Sequence, residues 1–184
     1  HDIYEMYVNI FVTSTLREDV KMYFDDIIKD PAMYVKNLKE KSNKKIVGAF
    51  PVYVPAELVH AAGFLPFPII IPSEEFSAAD TYLHTFACTL SRAMLQNLIT
   101  KKFNFLDAIV LPNICDSIWS LYNIIRAIRL NAPIALVHYP CKIELGAFKY
   151  YAREFERLKA FLEEIAEREI SDDDIRDSVS KYNM

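Results

Sequence analysis

The sequence predicts an α/β fold, a Rossmann-like parallel sheet flanked by helices and preceded by an N-terminal helical appendage. Short apolar runs, such as DAIVL at 107–111 and PIALV at 133–137, are typical of strands buried on both faces. Segments with apolar residues at helical spacing alternate with these runs, which is the pattern of a parallel sheet. A chain of 184 residues is long enough for one such domain with an appendage.

The appendage is predicted to cover residues 1–45. Residues 16–30 carry apolar side chains at helical spacing, and a second short helix is predicted over 32–40. The stretch 40–45 is polar and rich in lysine, which is typical of a surface connector. The sheet is therefore expected to begin only after this segment.

Strands and helices alternate from residue 46 to residue 168, the predicted α/β domain. Ser171, with Asp174 three residues later, opens a last helix. We expect residues 169–184 to lead into a second half of a longer protein. The predicted elements are strand 45–53, helix 56–62, an edge or irregular strand 64–71, helix 79–99, strand 107–111, helix 115–130, strand 133–137 and helix 143–168.

Composition excludes several classes of function. The three glycines are scattered, whereas a phosphate-binding loop or a dinucleotide fingerprint needs a cluster of them. No basic run exceeds two residues, which argues against nucleic acid as a partner. Three widely spaced cysteines make no disulfide framework, and we expect neither a signal peptide nor a membrane-spanning segment. We therefore expect a reduced, cytoplasmic protein that binds neither nucleic acid nor membranes.

Four candidate functional residues belong to the edge of the sheet where ligands bind in open α/β folds, at the carboxyl ends of the strands. Cys115 follows the strand DAIVL at the start of a helix, and Cys141 follows the strand PIALVHY. Glu57 falls in the first turn of the helix after the first strand. Cys88 is expected early in the helix predicted over 79–99.

Each candidate has a structural alternative. A thiolate at a helix N-terminus is stabilised by the dipole and by free N–H groups, but a free cysteine is also among the most buried residue types. Glu57 could serve only to stabilise its helix start, and His60 could be a core residue. Trp119, Tyr122 and the phenylalanine and tyrosine residues of 148–161 are expected to be packing residues. No zinc or hydrolase motif occurs, and cysteines at long spacing favour an iron–sulfur cluster over zinc.

Three segments together resemble the 2-hydroxyacyl-CoA dehydratase and benzoyl-CoA reductase family. GAFPVYVPAELVHAAGFLPF at 48–67 is similar to the family's opening signature. FACTLSRAM at 86–94 and FLDAIVLPNICDSIWSLYN at 105–123 resemble its first and second cysteine motifs. The tail from Pro140 to Asn183, with its YY pair and final KYN, also follows the family pattern.

The resemblance implies a 4Fe–4S cluster held by three cysteines, two in the first half of a subunit and one in the second. Cys88 and Cys115 would be ligands, Cys141 would not, and the third ligand would lie beyond Met184. Glu57 matches a family position near the cluster and would act in proton transfer. The implied partners are a homologous second subunit, an ATP-dependent iron–sulfur activator and an acyl-CoA substrate.

Two kinds of function are compatible with this resemblance. The first is a radical enzyme that dehydrates a 2-hydroxyacyl-CoA to an enoyl-CoA through a ketyl radical, or its relative that reduces an aromatic ring. The second is a non-catalytic subunit that pairs with a partner and holds no cluster. If both cysteines bind one cluster, we expect their sulfurs to converge to roughly 6–7 Å. We also expect Glu57 to face the same cavity as Cys115.

Overall fold

A computed structural model describes residues 30–73, 75–129, 132–142 and 144–183. The chain divides into two compact units, residues 1–38 and residues 39–184. Most of the helix predicted over 16–30 lies outside the described residues. The predicted second helix is present as α1, Pro31–Ser42.

The larger unit contains four strands and the helices that connect them. The strands are β1 (Ile46–Ala49), β2 (Leu65–Pro68), β3 (Ala108–Asn113) and β4 (Ile134–His138). The helices are α2 (Ala56–Ala61), α3 (Thr89–Ile99), α4 (Asp116–Ala127), α5 (Leu145–Ala166) and α6 (Asp172–Tyr182), with a 3₁₀ turn at Ala79–Thr81.

The sheet is parallel throughout, in the order β2-β1-β3-β4. Every residue of β1 is buried, which explains its unbroken apolar sequence. The two prolines of β2 cannot donate backbone hydrogen bonds, and β2 is accordingly an edge strand. The predicted α/β fold with a parallel sheet is confirmed.

Helices cover both faces of the sheet. The helices α2, α5 and α6 share one apolar cluster with the sheet, which contains Val47, Val59 and Leu162. The helices α3 and α4 contact each other, and α4 contacts β3 and β4. A helix that links parallel strands runs back along the sheet, so α2, α3 and α4 all begin at the carboxyl edge of the strands.

Side chains of α5 cover the outer edge of β4. Arg157 donates a hydrogen bond to the carbonyl of Leu136, and the N–H of His138 donates to Glu154 at 2.9 Å. Arg157 and Glu154 also form an ion pair at 2.6 Å. A cavity of about 160 Å³ lies here, lined by β4, α5 and Tyr122 of α4. This cavity includes neither Glu57 nor the cysteines.

The prediction that the aromatic residues of α5 pack inward is wrong for Phe148, in the first turn of the helix. Phe148 is 72% exposed, whereas Leu158 and Leu162 are buried in the core cluster. Ten residues of helix span about 15 Å, so Phe148 lies well away from Leu158 along the helix axis. Trp119, also expected to be a packing residue, is 45% exposed.

Candidate functional site

The carboxyl edge of the sheet brings together the starts of α2, α3 and α4 and the loop after β4. Cys88 is the N-cap residue of α3, and Cys115 is the N-cap residue of α4. Cys141 lies in the loop that follows β4. All three thiols are free and exposed, which contradicts the alternative that they are core residues.

Cys88 starts its helix rather than lying inside it, so the predicted helix over 79–99 is wrong in its first half. Arg92 donates two hydrogen bonds to Asp80, at 2.7 and 2.8 Å. In a continuous helix these residues would be about 18 Å apart. The N–H of Ala79 also bonds to Gln96 at 2.9 Å, so the 3₁₀ turn folds back against α3.

Two aromatic side chains that a helix over 79–99 would bury, Tyr82 and Phe86, are exposed. Phe86 is 85% exposed and stacks on His84, with ring centroids 4.9 Å apart, and Tyr82 is 52% exposed. Leu83 is buried in their place. His84 precedes α3, so it does not share a helical face with Cys88, Ser91 and Arg92, as a single helix over 79–99 would require.

The sulfur of Cys88 is held by its own helix. The N–H of Ser91, the third residue of α3, donates to Cys88 Sγ at 3.4 Å. The hydroxyl of Ser91 lies 3.0 Å from the same sulfur. Sulfur therefore takes the place that an oxygen occupies in an ordinary N-cap.

Cys115 is positioned differently. It follows β3 after a single residue, Ile114, and has extended backbone angles of φ −162° and ψ 165°. Its side chain makes no capping hydrogen bond. Its carbonyl accepts from the N–H of Trp119 at 3.1 Å, so the backbone starts α4 while the thiol is left for another partner.

Sequence reasoning missed a polar pair at the same edge. Asn113 and His138 are the last residues of β3 and β4 and are paired in register. Asn113 Nδ2 lies 2.9 Å from His138 Nδ1, and the His138 ring is 6.3 Å from that of Trp119. Their position at the carboxyl ends of adjacent strands was the signal that could have identified them.

An aromatic cluster extends from this edge along α5. Tyr139 contacts Tyr53 and Tyr151, with ring centroids 5.6 and 5.2 Å apart, and Tyr151 contacts Phe155. The hydroxyl of Tyr139 is buried and has no hydrogen-bond partner among the described residues. Burial, with Tyr151 close by, raises the pKa of Tyr139 well above its ordinary value, so this phenol stays neutral.

Glu57 occupies the first turn of α2, as predicted. Its carbonyl accepts a hydrogen bond from Ser178 of α6 at 2.7 Å, and Ser178 also bonds to His60 at 2.9 Å. The pKa of Tyr182 is raised by burial and by the negative charge of Glu57. Glu57 thus lies at the contact between α2 and α6, and its orientation toward Cys115 stays a prediction.

The thiols suit a cluster as part of a ligand set. Cysteine sulfur is the usual ligand of iron–sulfur clusters, and both side chains are accessible at helix starts with free N–H groups. The described residues contain no group of three or more His, Cys, Asp or Glu side chains that could hold a metal ion. Cys88 and Cys115 could therefore supply two ligands, with the remainder from outside this region.

None of the described helices has both the length and the apolar character needed to cross a membrane.

Comparison with known proteins gives a consistent result. The profile of a family described as "2-hydroxyglutaryl-CoA dehydratase, D-component" matches residues 51–184. The chain is 27% identical over 161 residues to the (R)-phenyllactyl-CoA dehydratase beta subunit of Clostridium sporogenes, covering 87% of this chain and 43% of the relative. It is 30% identical over 145 residues to a benzoyl-CoA reductase subunit of Thauera aromatica, covering 77% and 37%.

A third relative is the beta subunit of the (R)-2-hydroxyglutaryl-CoA dehydratase of Acidaminococcus fermentans. The chain is 29% identical to it over 163 residues, covering 87% of this chain and 43% of the relative. The chain thus spans about two fifths of the length of the curated relatives it matches.

Proposed function

The chain belongs to the 2-hydroxyglutaryl-CoA dehydratase D-component family, and on that premise we propose that it is part of an iron–sulfur subunit of a 2-hydroxyacyl-CoA dehydratase. The reaction converts a 2-hydroxyacyl-CoA into an enoyl-CoA and water. A homologous second subunit and an ATP-dependent iron–sulfur activator would complete the system.

One observation carries this proposal. Cys88 and Cys115 are exposed N-cap residues of two helices that contact each other and begin at the same edge of the sheet. Both lie within the region that the family profile matches. This placement supports their assignment as ligands of one 4Fe–4S cluster, while convergence of the two sulfurs stays a prediction.

Loss of water from a 2-hydroxyacyl group leaves the overall oxidation state unchanged. The cluster, when bound, would supply an electron that is returned at the end of the turnover. The protein would need to hold the thioester at the carboxyl edge, exclude water and move a proton. Glu57 is our candidate for the proton transfer, because a carboxylate can accept and return a proton within one turnover.

The test is iron and sulfide content of the full-length protein purified without oxygen, followed by an assay with 2-hydroxyacyl-CoA and activator. Bound iron and formation of enoyl-CoA would support the proposal. A colourless, iron-free protein that still binds its partner subunit would overturn it and indicate a non-catalytic pairing subunit instead.

A ring-reducing enzyme is the second candidate, because the 30% identity to the benzoyl-CoA reductase subunit is as high as that to the dehydratases. Electron counting separates the two activities. A dehydratase consumes no electrons overall, whereas reduction of an aromatic ring consumes two for each product formed. Reductant consumption that matches product formation would therefore replace the first candidate with the second.

Glu57→Gln should lower turnover about 10²–10⁴-fold, the usual contribution of a positioned acid or base. Stability should change little, because the bond from Ser178 goes to the backbone carbonyl of Glu57. Steady-state rates and urea unfolding of the complete enzyme measure both effects. Glu164→Gln on the exposed part of α5 is the control, and equal turnover in the two variants would remove Glu57 from the mechanism.

A further inference from the structure

Ser91 is a polar residue with an unusual environment. Its exposed fraction is 0%, yet the described hydrogen bonds of its side chain lead only to Cys88, whose thiol is exposed. Its hydroxyl lies 3.0 Å and its backbone nitrogen 3.4 Å from that sulfur. A buried hydroxyl needs a partner, and here the partner is the atom assigned above as an iron ligand.

The direction of this hydrogen bond depends on the state of the sulfur. A neutral thiol can donate to the Ser91 oxygen, but a thiolate or an iron-bound sulfur has no proton to give. The hydroxyl of serine rotates to suit its partner, so in that state it must donate to sulfur. Cys88 would then receive two hydrogen bonds, one from the backbone and one from the hydroxyl.

The surroundings hold this geometry without a metal. The next residue, Arg92, is fixed by its two bonds to Asp80 and by its guanidinium, which lies 4.3 Å from the centre of the Phe76 ring. Further along α3, the Asn97 side chain donates to the carbonyl of Ile71 at 3.1 Å. These contacts, both on the C-terminal side of Ser91, hold α3 in place against the preceding 3₁₀ turn and the segment after β2.

We propose that Ser91 is a positioning residue that tunes the cluster through Cys88. A donor to a ligand sulfur draws negative charge from it, which stabilises the reduced cluster and raises its reduction potential. This inference rests on the proposed function, since it requires Cys88 to bind iron.

The start of α4 supplies a matched control. Ser117 follows Cys115 by two residues, and no side-chain capping bond involves the Cys115 sulfur. Ser117→Ala therefore removes a serine hydroxyl beside the second cysteine without removing a bond to its sulfur. Ser91→Thr keeps the hydroxyl of Ser91 and is the conservative variant.

The experiment compares these variants in the full-length protein loaded with its cluster. Iron content and the midpoint potential, followed by electron paramagnetic resonance, are measured for each. Ser91→Ala should retain iron and shift the midpoint to a more negative potential, whereas Ser117→Ala and Ser91→Thr should match the wild type. An unshifted potential in iron-loaded Ser91→Ala overturns the inference.

A measurement on the unmodified protein covers the case in which Ser91→Ala loses its iron. Electron–nuclear double resonance after transfer to deuterium oxide should detect an exchangeable proton close to a cluster sulfur, and its absence would also overturn the inference. Full iron content in Cys88→Ser would instead overturn the proposed function, so the two failures are distinguishable.

Discussion

The helices α3 and α4 both begin at a cysteine N-cap, but the side chains around the two sulfurs differ. In both, a cysteine is the N-cap and its carbonyl accepts the first helical hydrogen bond, from Arg92 and from Trp119, each at 3.1 Å. The third helical residue is Ser91 in α3 and Ile118 in α4, and both are buried. The serine reaches the sulfur of its cysteine, whereas the isoleucine can only pack in the core.

Two cysteines at equivalent backbone positions therefore differ in how their sulfurs are held. The sulfur of Cys88 is oriented by its own helix, because two groups of Ser91 hold it. The sulfur of Cys115 makes no such bond among the described residues, although the backbone of Cys115 is held between β3 and α4. In a shared cluster we therefore expect Cys88 to be the preorganised ligand and Cys115 the adaptable one.

The largest effect should come from removing either sulfur. Cys88→Ser and Cys115→Ser should each abolish the cluster in the full-length protein, since hydroxyl oxygen replaces a thiolate ligand poorly. Iron and sulfide analysis after anaerobic purification measures the loss. Cys141→Ser is the control and should retain full iron content, and a cluster that survives both of the first substitutions would remove the pair from the ligand set.

Gly48→Ala should displace the segments that lead to α3 and to β3, and so affect the starts of both α3 and α4. A Cβ at this position would lie 2.6 Å from Ile69, on the path to α3, and 2.8 Å from Leu106, on the path to β3. Both close atoms are terminal Cδ1 methyl groups that can shift, so we expect a cost at the low end of overpacking, about 1 kcal/mol in the free energy of unfolding, which denaturant titration measures. Gly146→Ala is a matched control, because the Cβ added there meets no atom of the described part of the chain within 4 Å. Equal stability of the two variants would contradict the close packing at Gly48.

Asp80→Asn should disturb the start of α3 alone. The substitution removes the charge that pairs with Arg92 and weakens the contact between the 3₁₀ turn and α3. Amide hydrogen exchange should therefore accelerate across residues 79–92 and stay unchanged across 113–127. Asp116→Asn at the start of α4 is the control. Acceleration that spreads equally over both helices would show that the two regions are one cooperative unit.

The smallest effect concerns α6, whose start is an ordinary oxygen cap. Hydrogen bonds from the backbone and hydroxyl of Ser171, followed by Arg168, lower the pKa of Asp174 below its ordinary value. The stabilisation from this carboxylate is therefore present above the ordinary aspartate pKa of about 3.9 and is lost as pH falls through the lowered folded value.

Thermal unfolding at a series of acidic pH values tests this expectation. Ser171→Ala removes the hydroxyl of the capping box and should flatten part of the decline in stability. If the wild type and Ser171→Ala lose stability in parallel between neutral and acidic pH, the cap does not contribute to the pH dependence.

The parallel sheet and several element boundaries could be predicted from the sequence. The apolar run of β1 could only be buried on both faces, and the two prolines of β2 could only be accommodated at an edge. The sequence also predicted the N-cap of α6 at Ser171 and the end of α2 near Gly63, which has a φ of +88°. These features depend on residues close together in the chain, so local patterns are sufficient.

Tertiary structure decided the candidate site. The segment from residue 79 to Cys88 folds back against α3, because Arg92 is hydrogen-bonded to Asp80 and Ala79 to Gln96. Helical periodicity does not predict these contacts. The pairing of Asn113 with His138 needs two strands in register. That Ser91 is a buried partner of sulfur depends on where α3 begins, and long-range contacts fix that point.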